Sequence, residues 1–401
     1  MLRRKNRLMR SGRLEEASAL AAQIGQSIIK INTAALSLAD ADMDSNDLWS
    51  KVRSLFGRRA TTASASATVS AQSLNQHYAG ISSDNRYTRP LPKHTVTASA
   101  SDIDEWHVFN MLDRLKPTSP GLDQIPAWFL RTAAPFFSLP LSFLFNLSLQ
   151  LSVVSAQWKL ACITPIPKLS KPTNSADFRP ISIAPILSRR LEKYVVKTFL
   201  YPILELPSTL LPSSFLFNDQ FAFRPTGSPT AALIALFQNI SVHLSTSSFV
   251  RVIALDFSKA FDTVRHATLF DKFSKLPLPD HIFNWLINFF SSRSHCTKFD
   301  GVVSNLTSIE ASVVQGSALG LVSFVINACD LHPICPVNSL LKFADDTYLI
   351  ISADSSYTCA TELAHIEAWA AENNLHLIKR NRQSSSLEIL KSEENCLNQS
   401  P

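Results

Sequence analysis

The chain has 401 residues, 46% of them hydrophobic and 17% charged, with a formal net charge of +6. That is enough apolar material for a real core, so full-length disorder is excluded. Only 9 glycines exclude collagen-like and glycine-linker architectures, and the mild basic excess permits a nucleic-acid partner without establishing one.

The N-terminus is basic but has no apolar stretch followed by a small-residue cleavage site, so it is not a signal peptide. Leu14, Ala17, Ala21, Ile24, Ile28 and Ile31 fall near helical spacing and predict a helix over 13–31. The cluster Arg3, Arg4, Lys5, Arg7, Arg10 and Arg13 before it can touch phosphate or act as a nuclear address, and equally can be a solvated helix face. Residues 1–56 are read as this basic helical region. Residues 57–101, rich in Ser, Ala and Thr, are read as a linker.

From Asp102 the texture changes to dense apolar segments broken by proline. A short helix is expected over Asp102–Arg114. No charge stands between Arg131 and Lys159, a length that could span a bilayer. Pro135, Pro140 and the recurrent serines favour a buried helix of a soluble domain instead. Strands are expected at 160–167 and 249–255, and helices at 186–204 and 229–245. Residues 340–351 read as two strands joined at Asp345 and Asp346, with an amphipathic helix over Glu362–Glu372. Helices and strands are mixed rather than alternating, so the fold class is α+β. The six cysteines form no CxxC pair and read as reduced, intracellular packing residues, without a zinc site.

Two acidic clusters follow apolar strands: Asp256 with Asp262 in LDFSKAFDTV, and Asp345–Asp346 in KFADDTYLI. Carboxylates at strand ends can face one point, where a hard cation such as Mg²⁺ offsets their repulsion. Alone, Asp-Asp can simply make a turn.

The wider sequence resembles the reverse transcriptase domain of non-LTR, LINE-type, jockey-like retrotransposons. The resemblance runs in order through PTSPGLDQIPAWFL, WKLACITPIPK, DFRPISIAPILSRRLEK, DQFAFRPTGSPT, ALDFSKAFDTVRHATL, VVQGSALG, LLKFADDTYLI and IEAWAAENNLHL. It implies a right-hand polymerase with fingers and palm over 102–383, the thumb missing or truncated, a helical N-terminal extension, and a divergent tail over 384–401. It implies RNA-directed DNA polymerisation by two-metal phosphoryl transfer, with Mg²⁺ or in its place Mn²⁺. The partners implied are an RNA template, a DNA primer, deoxynucleoside triphosphates and an endonuclease-bearing protein, with no membrane. The compartment implied is intracellular, nucleus and cytoplasm. Asp256, Asp345 and Asp346 would be catalytic; Asp256, the backbone carbonyl of Phe257, and Asp345 would hold metal. Arg179 would hold the triphosphate, Phe261 would exclude a 2′-hydroxyl, and Gln315 and Gly316 would contact nucleotide and template base. Lys168, Lys171 and Arg224 would lie along the template. Asp262 is expected to be structural.

The chain departs from the family at Leu321, where proline is usual, and after NNLHL, where Lys379 is the one candidate for a nucleotide-addition lysine. The competing readings are an inactive retroelement remnant that only binds nucleic acid, and a membrane-associated protein using residues 131–159.

Overall fold

In a computed structural model of the chain, the structure describes residues 69–93, 103–314, 316–378 and 386–390, and a few positions between Arg4 and Lys30. The chain divides into two compact units, 1–64 and 65–401. In the first, the described residues from Glu15 to Lys30 are helical, while most of the basic cluster and Lys379 lie outside the described residues.

The second unit begins inside the stretch expected to be a linker, with helix α1 (Ala71–Ile81). Ser70 and Ser73 close a capping box at its start, each side chain accepting from the other's backbone N–H. Leu74 and Tyr78, one turn apart, are buried against Ile163 and Phe178. Asn75 is fully buried and fully used. Its Nδ2 donates to Asn305 O (3.0 Å) and Thr307 Oγ1 (2.9 Å), and its Oδ1 accepts from Thr297 Oγ1 (3.0 Å). The Ser/Ala/Thr composition hid a helix whose docking uses the amides of Asn75 and Gln72, which accepts from Asn305 N–H, and the buried Leu74 and Tyr78.

Helix α2 (Glu105–Asp113) matches expectation and packs on α3 (Ala134–Gln150). The charge-free segment is therefore helical, but only one face is buried. Leu141, Phe145 and Leu149 point inward, whereas Phe136 and Phe143 are 80% and 66% exposed. No described helix is long and apolar enough to cross a membrane.

Strand β1 (Leu160–Pro167) has the expected limits. It pairs antiparallel with β2 (Phe178–Ile183). Helix α4 (Ile186–Val195) continues through a π turn at Val196–Leu200 to Leu204, covering the expected 186–204. Helix α5 (Pro229–Thr246) precedes β3 (Phe249–Leu255), again at its expected limits. Helices α6 (Ala260–Thr263), α7 (His266–Ser274) and α8 (Asp280–Phe290) follow. Strand β4 (Arg293–Phe299) runs parallel to β1 and carries β5 (Thr307–Ile309) on its edge. After α9 (Ala318–Asn327) come β6 (Ser339–Phe343), β7 (Asp346–Ser352), α10 (Cys359–Glu372) and β8 (Ser386–Leu390).

Two main sheets result, so the fold mixes helices and strands as expected. One has the order β2-β1-β4, with β5 on β4. The other has the order β8-β3-β7-β6 and is antiparallel throughout. Alternate residues of its inner strands, Ile253, Leu349 and Ile351, enter a large core with Phe273, Trp285, Phe289 and Phe324. The five described cysteines are free thiols.

Replacing Asn75 by Ala removes three hydrogen bonds and leaves Thr297 and Thr307 short of partners. The expected destabilisation is about 2 kcal/mol, read as a lower urea midpoint at unchanged slope. A midpoint equal to the parent's would show that α1 docks without the Asn75 bonds.

Candidate functional site

The antiparallel register of β3 and β7 dictates where the acids meet. Leu255 lies opposite Thr347, so Asp256, the next residue of one strand, stands beside Asp346, the first residue of the other. Phe343 pairs with Asp346, which leaves Ala344 and Asp345 as the whole connection between β6 and β7. Ala344 turns with φ 58°, a left-handed conformation that costs an L-residue about 1 kcal/mol. The buried side chain of Gln220 holds it there. Its Oε1 accepts from the N–H of Ala344 (2.9 Å) and of Ala222 (3.0 Å), and its Nε2 donates to Ala344 O (3.3 Å). The carbonyl of Asp256 accepts from Ile378 N–H at 2.8 Å, while Phe257 and Ser258 pair with Leu377 and His376.

Burial raises the Asp345 carboxyl above its ordinary range, and the charges of Asp346 and Asp256 push the same way. Asp346 is raised by burial and then by Asp256. Three carboxylates thus share one electrostatic site, and each favours a neighbouring cation. Among the described residues, no three His, Cys, Asp or Glu side chains gather closely enough to enclose a metal by themselves. The donor set is a few hard carboxylate oxygens open to solvent. That fits Mg²⁺, which takes one or two carboxylates and completes its shell with water and phosphate.

A cavity of about 160 Å³ opens beside Asp345. Lys168, Arg179, Lys259, Phe261 and Asp262 line it, with His77 and Tyr78 from α1. Lys168, expected on the template path, therefore stands with Arg179 at the acids; its Nζ donates to Ala176 O at 2.9 Å. Lys259 was not singled out in the sequence. Its φ of 52° starts α6 and turns the chain so that Lys259 and Phe261 both reach the cavity. Burial and Lys168 lower the Lys259 ammonium, against the pull of Asp262. Asp262 is pushed up to about 6, mainly by burial. Phe261 stacks on Phe324 at 4.6 Å and meets Phe223 edge-on, so the ring is at once cavity wall and core contact.

Gly316 has φ 102°, and a Cβ there would lie 2.9 Å from Ser182 O, so a side chain is excluded at this approach of loop to strand. Gln315 lies outside the described residues. The next residue, Ser317, caps α9: its Oγ accepts from Gly320 N–H (3.2 Å) and donates to the buried carboxylate of Glu192, which also accepts from Ser188 (2.9 Å). Helix α9 forms with Leu321 in place of the usual proline because this cap supplies its start. Glu192 and Gln220 are the positioning residues that sequence reasoning passed over.

Two residues expected along the template, Lys171 and Arg224, do not line this cavity. Lys171 is exposed and does not line the cavity. The Arg224 guanidinium is occupied within the protein, donating to Phe217 O, to Leu204 O (3.1 Å) and to Gln220 O (3.4 Å). It clamps the loop that carries Gln220 and has few donors left for a backbone phosphate.

A family model described as reverse transcriptase (RNA-dependent DNA polymerase) matches residues 166–382. The probable RNA-directed DNA polymerase from transposon BS of Drosophila melanogaster is 28% identical over 254 residues, covering 61% of this chain and 27% of that protein. The RNA-directed DNA polymerase from mobile element jockey of the same species is 25% identical over 296 residues, covering 71% of this chain and 31% of that protein. The chain thus spans less than a third of the length of either relative. A solved telomerase from Candida tropicalis, in complex with a fragment of telomeric RNA, has a TM-score of 0.41 at 11% identity, over 60% of this chain and 42% of that one. The relatives bear out the resemblance to non-LTR retrotransposons. The matched span holds both aspartate clusters and more than half of the 401 residues, and on that ground the chain belongs to the reverse transcriptase (RNA-dependent DNA polymerase) family.

Proposed function

We propose that this chain is the polymerase domain of a non-LTR retrotransposon and extends a DNA primer along an RNA template with deoxynucleotides. One observation carries the reading: Asp256 meets Asp345 and Asp346 where two paired strands end, beside a cavity walled by Lys168, Arg179, Lys259 and Phe261. A site for charge-rich phosphoryl transfer needs this combination of acids facing cations across a small space.

In this reading the antiparallel sheet is the palm, and the sheet of β1, β2 and β4 belongs to the fingers. Asp256, Asp345 and the carbonyl of Phe257 would hold Mg²⁺, which would supply activation of the primer hydroxyl and charge neutralisation at the triphosphate. The residues of the chain do the rest. Arg179, Lys168 and Lys259 bind the triphosphate and orient its α-phosphorus toward the primer 3′-oxygen, with pyrophosphate leaving on the cationic side. Asp346 keeps the primer end beside Asp345. Phe261, braced by Phe324 and unable to retreat, fills the space that a 2′-hydroxyl would need. Gly316 lets the backbone approach the nascent pair. The template is gripped through its backbone and heteroduplex shape, with Lys171 on its path.

Primer extension on an RNA template with deoxynucleotides and Mg²⁺ is the direct test. The parent extends, and Asp345→Ala falls by at least about a thousandfold; turnover near the parent level in that variant would sink the site assignment. Phe261→Val is expected to raise ribonucleotide incorporation relative to deoxyribonucleotide by about tenfold or more, and an unchanged ratio removes Phe261 from sugar selection. Gln220→Leu, close in size but unable to hold Ala344, should keep the fold by circular dichroism and slow extension by about tenfold, and full activity would mean that the turn holds itself.

A further inference from the structure

The cavity beside Asp345 has a wall that the family-matched span does not supply. His77 and Tyr78 line it from α1, upstream of residue 166. The helix is fixed in place. Asn75 ties it to the β4–β5 ribbon, Leu74 and Tyr78 are buried against Ile163 and Phe178, and Asp84 just beyond it makes a two-bond ion pair with Arg265 (2.9 and 3.2 Å). Tyr78 is mostly spent on packing. His77 is half-buried, its ring lies 5.8 Å from that of Tyr78, and among the described residues none is hydrogen-bonded to its imidazole. It shares the cavity with three cations, Lys168, Arg179 and Lys259.

We propose that His77 donates a hydrogen bond to the polyphosphate of the incoming nucleotide, beside Lys168, Arg179 and Lys259, and that α1 is thereby part of the nucleotide site. The inference rests on the polymerase reading, which makes this cavity the place of a triphosphate. Such a contact is charge-assisted, and a fixed helix holds the imidazole at the cavity wall.

Protonation follows from the same arrangement. Burial and the charges of Lys259 and Lys168 hold the His77 imidazole below its usual value, so the empty site keeps it neutral at roughly pH 7. Arg179 adds to the cationic side, and Asp262 and Asp345 oppose it from the same cavity. The elements packed on α1 carry Arg293, His295, Cys296 and Lys298 on β4 and Asp177 in the turn before β2; β5 carries no titratable side chain. An arriving polyphosphate outweighs these cations and favours the imidazolium. Nucleotide binding therefore takes up a proton, and affinity falls as pH rises through the His77 pKa of the complex.

The test is equilibrium binding of deoxythymidine triphosphate with Mg²⁺ to the full chain at about pH 6 and about pH 8, with primer extension alongside. His77→Ala is expected to bind about tenfold more weakly at the lower pH and to lose the pH dependence, while His77→Lys restores affinity at both. In extension, His77→Ala raises KM and leaves kcat near the parent's. Affinity of His77→Ala within about twofold of the parent at both pH values overturns the contact, as does failure of His77→Lys to restore it when the melting temperature is unchanged. The two readings fail separately. Extension by the parent with an unaltered His77→Ala leaves the polymerase and removes the contact. Nucleotide binding that depends on His77, without extension by the parent, keeps the contact and removes the polymerase. A parent that binds no nucleotide overturns both.

Discussion

The site depends on like charges being held together against their own repulsion. Asp256, Asp345 and Asp346 would separate if the strands behind them were free to part. They cannot part, because the register that pairs Leu255 with Thr347 also seats Ile253, Leu349 and Ile351 in the core. A slip of one residue would turn all of these side chains to the other face of the sheet. The apolar pattern of two strands thus fixes the electrostatics at their ends. The Asp345 turn adds a local constraint, an alanine in the left-handed region, and the Gln220 amide offsets its cost with bonds to both backbone groups of Ala344.

The same device recurs around the site: charged or polar side chains are buried and completely engaged so that loops keep one shape. Lys342 is almost inaccessible, yet it donates to Ala328 O (2.7 Å) and Leu331 O (3.1 Å) and pairs with Asp219 (3.0 Å). Glu362 accepts from the N–H of Ile334 and Cys335 and from Asn338. Lys272 joins Asp330, Asn327 and Asn373, tying α7 to the loops after α9 and α10. Removing one partner of such a group would leave a buried charge uncompensated, so these anchors are costly to vary. Lys342 and Glu362 fix the segment from Ala328 to Asn338 that leads into β6, the strand before the Asp345 turn.

Much of this was legible from residue order. The strands at 160–167 and 249–255 appear with their expected limits, because short apolar runs ending in turn residues leave little choice. The meeting of the acids is legible too, because a strand end makes a carboxylate conspicuous and the register brings the two ends together. Gln220 and Glu192 are not, since a glutamine in a loop and a glutamate on a helix look like surface until burial is known. Lys259 was hidden for another reason: its reach depends on a positive φ, which a lysine does not advertise. Arg224 shows the opposite case: its charge suggests phosphate, and in the structure it donates to carbonyls. Helix α3 was recognisable, but its exposed Phe136 and Phe143 show that uniform hydropathy says nothing about which face is covered.

Helix α1 has a bearing on inheritance. It lies upstream of the span matched by the family, yet its Leu74 and Tyr78 pack against Ile163 of β1 and Phe178 of β2. Asn75 is the partner without which Thr297 and Thr307 would face a gap. The block that can be shuffled between elements without tearing the protein is therefore larger than the matched span. A recombination breakpoint that the fold tolerates falls before Val69, not at residue 166, and the two flanks of any breakpoint between them would have to evolve as a pair.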